Sequence, residues 1–116
     1  MDSKRLLQVN SLLQQELSEY WEKELELPKD TIMSVSRVET TGPLDKAFVY
    51  ISVWPQDKQD VVMGILKKEI YHTQKYLDKR LHMRRVPFLV LEIDEQAISR
   101  REVEDVLDSL SEVADK

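Results

Sequence analysis

The chain has 116 residues, 41% of them hydrophobic and 34% charged, with a net charge of −5. This is the length of one domain, with enough apolar material for one core and too much for a disordered chain. Apolar runs such as 48–51 and 88–91 fall far short of the ~20 residues that cross a bilayer. The opening Met-Asp-Ser-Lys-Arg leads into a polar helix pattern without an apolar signal core, so a cytoplasmic protein is expected. The absence of cysteine excludes disulfides and thiolate chemistry. Two glycines, Gly42 and Gly64, cannot form a glycine-rich phosphate loop.

In chain order, Leu6, Val9, Leu13, Leu17, Tyr20, Trp21 and Leu25 recur at helical spacing. They predict an amphipathic helix over about residues 3–26, capped by Asp2 or Ser3 and stopped before Pro28. Residues 31–40 are rich in β-branched side chains and predict a strand. The turn Thr41-Gly42-Pro43-Leu44-Asp45 follows. A second strand is predicted over 47–54, with Ala47, Val49, Ile51 and Val53 on one face and Phe48, Tyr50, Ser52 and Trp54 on the other. The two strands form a hairpin. A second helix is predicted over about 57–82, with Val62, Leu66, Ile70, Thr73, Leu77 and Leu81 as its apolar stripe. Residues 88–93 predict a third strand. Ser99-Arg100-Arg101-Glu102 is a capping box for a last helix with Val103, Val106, Leu107, Leu110 and Val113 on its apolar face. The expected class is α+β, with helices on one face of a three-stranded sheet.

The charge is unevenly spread. Residues 1–30 carry −3, 31–62 carry −1, 63–88 carry +5 and 89–116 carry −6. Screening over ~8 Å makes a ligand respond to the local face rather than to the total. On a helical wheel, His72, Lys75, Lys79 and His82 fall within about 40° of Lys68, opposite the apolar stripe, with Gly64 beside them. Arg80, Arg84 and Arg85 extend this patch past the helix end. Such a face fits phosphates along an RNA strand, although a run of like charges on a helix is more often simply solvated. Gly64 either admits a close backbone or is a tolerated helix glycine. Trp21 and Trp54 are read as core or strand-end packing in preference to base stacking. The two histidines, ten residues apart, offer no metal-ligand spacing. Ser34, Ser36 and Ser52 have no adjacent histidine, and no carboxylates form an acid/base pair motif. No enzyme, cofactor or metal site is therefore expected.

Two segments carry a family resemblance. Val38-Glu39-Thr40-Thr41-Gly42-Pro43-Leu44-Asp45-Lys46-Ala47-Phe48-Val49-Tyr50-Ile51-Ser52-Val53 resembles the V-E-V-S-x-D-L-x-x-A-x-V-Y-V-S-V hairpin of ribosome-binding factor A. Residues 77–94, from Leu77-Asp78-Lys79-Arg80-Leu81 through Arg84-Arg85-Val86-Pro87 to Asp94, resemble that family's L-x-x-R-L-x-L-R-x-V-P-x-L-x-F-x-x-D segment. The resemblance spans about residues 3–95. It implies a type II KH-like fold, in the order helix, strand, strand, helix, kink, helix, strand. It also implies binding to the small ribosomal subunit and its rRNA during late maturation, most important in the cold. Lys79, Arg80, Arg84 and Arg85 match basic positions of the family. The family's Ala-x-Gly kink falls on Glu69-Ile70-Tyr71 here, and its arginine after the kink on Gln74. This departure predicts a long helix that runs nearly straight.

The expected organisation is an RNA-binding KH-like domain over 1–95 followed by an acidic terminal helix over 96–116. The expected RNA-binding residues are Lys68, His72, Lys75, Lys79, Arg80, Arg84 and Arg85. The protein is expected to be a monomer without membrane contact. Two other readings stay open. One is a protein-interaction module docking a basic partner through Glu102, Glu104, Asp105 and Asp108; the other is a small ligand-binding or catalytic α+β domain. The acidic segment from Glu95 to Lys116 could also fold onto the basic face and weaken non-specific RNA binding.

Overall fold

The computed structural model describes residues 3–95. The predicted terminal helix, its capping box and its acidic side chains lie outside the described residues. Helix α1 (Ser3–Glu24) leads into strand β1 (Ile32–Thr40), which pairs antiparallel with strand β2 (Lys46–Trp54). A single 3-10 turn (Gln56–Lys58) opens helix α2 (Gln59–Arg80), and strand β3 (Phe88–Ile93) then lies parallel to β2. The sheet order is β1-β2-β3, so α2 provides the crossover that a parallel pair requires. The structure is the expected α+β, KH-like arrangement. α2 is one uninterrupted helix through Glu69, Ile70 and Tyr71, where the resemblance placed a kink. Neither an alanine-glycine pair nor a proline interrupts its hydrogen-bond ladder there.

The core follows the periodicities. Ala47, Val49, Ile51 and Val53 are all buried on one face of β2. Val9, Leu13, Leu17 and Trp21 of α1 and Val62, Leu66 and Leu77 of α2 close over them. Each such side chain, fully buried, contributes about 1.5–3 kcal/mol. Leu6 is only half-buried and Leu25 packs at the margin. Thr73, predicted within the apolar stripe, is completely buried because its hydroxyl is used twice. It accepts a 3.0 Å hydrogen bond from Trp21 Nε1 and donates one of 2.9 Å to the Glu69 carbonyl. The two tryptophans therefore separate: Trp21 is core, whereas Trp54 is 56% exposed at the end of β2.

Side-chain hydrogen bonds tie the strands together and shape the turn between β1 and β2. The β1–β2 register shifts between Val35 and Arg37, a β-bulge at Ser36. The Ser36 hydroxyl lies 2.6 Å from Oδ2 of buried Asp94 and 3.2 Å from the Tyr50 carbonyl, so the end of β3 holds the bulge of β1 across β2. In the turn the left-handed residue is Leu44, with φ 62°, rather than Gly42. The Thr41 hydroxyl donates to the Asp45 carboxylate and holds its pKa below the ordinary carboxylate value.

Gln74 ties β3 to α2. Its Nε2 donates to the Pro87 carbonyl at 2.9 Å, and its Oε1 accepts from the Leu89 amide at 3.1 Å. An arginine at this position has no acceptor for the second bond. Gln74→Leu is expected to cost about 1–3 kcal/mol, the range for leaving a buried backbone group unpaired. The shift of a urea unfolding midpoint at constant slope measures this, and an unchanged midpoint would contradict it.

Candidate nucleic-acid interface

α2 packs through Val62, Leu66, Thr73 and Leu77, so the opposite side faces solvent by geometry alone. Lys68, His72, Lys75 and Lys79 are all exposed on that side. From Lys68 to Lys79 the stripe runs about 16 Å at 1.5 Å per residue. Among the described residues, none of Lys68, Lys75, Lys79, Arg84 or Arg85 forms an ion pair, whereas Arg37 pairs with Glu39 and Asp94, and Arg80 with Glu16. Among the described residues, then, no carboxylate forms an ion pair with the cations of the stripe. Asp78 is an exposed carboxylate on the same helix, at the border of the stripe. Gly64 belongs to the same surface, and a β-carbon there would meet nothing within 4 Å, so packing does not require the glycine.

Two expected positions need correction. The helix ends at Arg80, because Leu81 turns to an extended conformation (φ −90°, ψ 136°). His82 is therefore off the wheel rather than within the stripe. It lines a shallow cleft of about 230 Å³ with Arg5, Pro43, Leu44, Met83, Arg84 and Arg85. Arg80 belongs to the last turn of α2 rather than to an extension beyond it, and it points toward α1. Its Nε lies 3.4 Å from Glu16 Oε2, an oxygen that also sits 3.4 Å from the Tyr76 hydroxyl. Tyr76 in turn stacks on Tyr20 with centroids 4.3 Å apart. Arg80 is thus turned toward α1, and Glu16 partly offsets its charge.

The remaining residues form two neighbouring basic regions. One is the α2 stripe of Lys68, His72, Lys75 and Lys79. The other is the cleft, where Arg84 and Arg85 meet Arg5 from the first turn of α1. Arg5 escapes a sequence reading because it lies in a block of net charge −3 and about eighty residues from its neighbours. No group of three or more His, Cys, Asp or Glu side chains able to hold a metal occurs among the described residues. No helix among them is long and apolar enough to cross a membrane.

The family model for ribosome-binding factor A matches residues 5–107. The chain belongs to the ribosome-binding factor A family. It is 36% identical over 103 residues to the ribosome-binding factor A of Prosthecochloris aestuarii, covering 85% of this chain and 83% of that one. It is 30% identical over 99 residues to that of Flavobacterium psychrophilum, covering 82% and 76%. The crystal structure of ribosome-binding factor A from Thermus thermophilus superposes with a TM-score of 0.66 at 17% identity, covering 76% of this chain and 94% of that one. That likeness supports the fold, which survives although the sequences have largely diverged. Asp94, within the matched residues, is the carboxylate that secures the Ser36 bulge.

Proposed function

We propose that this chain is a non-enzymatic assembly factor that binds the immature small ribosomal subunit in the cytoplasm and assists late maturation of its rRNA. The observation that carries the reading is the stripe of exposed basic side chains on the outer face of α2, in a member of the ribosome-binding factor A family. Lys68, His72, Lys75 and Lys79 run along one strand of rRNA, and Arg84 and Arg85, joined by Arg5, take adjacent phosphates. Such contacts fix position and orientation without reading sequence. The rigid helix then holds the bound rRNA segment in one conformation, and recognition comes from shape and charge. Arg80 contributes less than its neighbours because Glu16 offsets its charge. The negative total is no obstacle, since a subunit meets one face of the molecule at a time.

Sucrose-gradient fractionation of lysate tests this reading. The chain is expected to travel with small subunits at low salt and to leave them as salt rises, because each phosphate contact releases counterions. A chain that stays at the top of the gradient under all conditions would contradict it.

A further inference from the structure

We propose that Tyr71 is a stacking platform for an unpaired RNA base, so that the α2 face prefers single-stranded to duplex RNA; this rests on the RNA-binding reading above. Tyr71 is 61% exposed in the middle of a helix whose other large apolar side chains mostly turn inward. It is no part of the buried core, so the fold does not account for an aromatic ring at this position. Its surroundings are cationic. Lys68 lies three residues before it and Lys75 four residues after, the two spacings that make helix-surface neighbours. The Lys75 ammonium stands over the ring, 4.9 Å from its centroid. The His72 ring meets it edge-on, with centroids 5.7 Å apart and planes at 75°.

This combination suits a nucleotide. A base lying against the exposed ring removes apolar surface from water, while its phosphates remain beside lysines one turn to either side. The Lys75 contact gives the ring a defined orientation and adds a cation–π component. A duplex cannot use the platform, because its bases are already stacked inside the helix and it offers only phosphates and hydroxyls to a flat surface. Stacking on an aromatic ring tolerates any base, so the preference concerns strandedness rather than sequence.

The test measures affinity of the full chain for a short unstructured oligoribonucleotide and for a blunt RNA duplex of the same length. Tyr71→Ala is expected to weaken single-strand binding by about 5- to 150-fold, the range for loss of one stacked base. It should change duplex binding less than about twofold and leave the salt dependence unaltered, because every phosphate contact stays in place. Tyr71→Phe should retain single-strand binding. An unchanged unfolding midpoint for Tyr71→Ala ensures that the loss is local. Equal weakening of both probes, or no weakening of the single strand, would overturn the stacking proposal and leave the cationic reading standing. Wild-type protein that binds neither probe would overturn both.

Discussion

Trp21→Ala is expected to lower the stability of the fold by about 3–5 kcal/mol, the range for removing a large buried aromatic side chain. Trp21 is 1% exposed and lies where α1, α2 and the sheet converge. Its loss opens a cavity that the rigid helix pair cannot close and deprives the Thr73 hydroxyl of its donor. Domains of this size hold about 5–15 kcal/mol in total, so the variant should be marginal at growth temperature. Thr73→Val isolates the polar part. It keeps the volume close to native but strands the indole N–H in the core, at a cost of about 1–3 kcal/mol. Urea unfolding followed by circular dichroism measures both, and a loss below about 1 kcal/mol for Trp21→Ala would contradict the packing described.

The second large effect concerns binding. Lys75→Glu combined with Lys79→Glu is expected to abolish co-sedimentation with small subunits. The change replaces two attractive charges in the middle of the stripe by two repulsive ones, next to Lys68 on one side and Arg84 and Arg85 on the other. Both lysines are exposed and glutamate has a similar helix propensity, so the fold should survive. A carboxylate at position 79 opposes the C-terminal end of the α2 dipole and should cost about 0.3–1 kcal/mol. The neutral pair Lys75→Gln and Lys79→Gln reduces that cost and should weaken binding without abolishing it. Normal co-sedimentation of the charge-reversed protein would remove the α2 stripe from the mechanism.

The fold was legible wherever one element carried its own signal. The alternation from Ala47 to Val53 fixed which face of β2 is buried, and the spacing of Leu13, Leu17 and Trp21 did the same for α1. What stayed hidden depends on partners far along the chain. The Ser36 bulge needs Asp94, 58 residues away, and the orientation of Arg80 needs Glu16, 64 residues away. Glu16 did leave a trace, because it lies between Leu13 and Leu17 on the buried stripe of α1. A carboxylate in that position calls for a cation, and Arg80 is the one that meets it. His82 was misplaced because Leu81 continues the apolar spacing of α2 although its backbone has already left the helix. The cationic stripe itself was readable from helical geometry, whereas Arg5 and Tyr71 were not. Arg5 joins the cleft only because the fold brings the start of α1 to the same cleft as residues 82–85, and Tyr71 has meaning only once its exposure and its lysine neighbours are known.

The most direct measurement is the salt dependence of affinity for purified immature small subunits, compared between the wild-type chain and Lys75→Gln/Lys79→Gln. Each lysine that neutralises one phosphate of a single strand adds ~0.7 to the slope of log affinity against log salt, so the double variant should flatten that slope by about 1.4. Equal slopes for the two proteins would contradict the claim that these lysines hold ribosomal RNA.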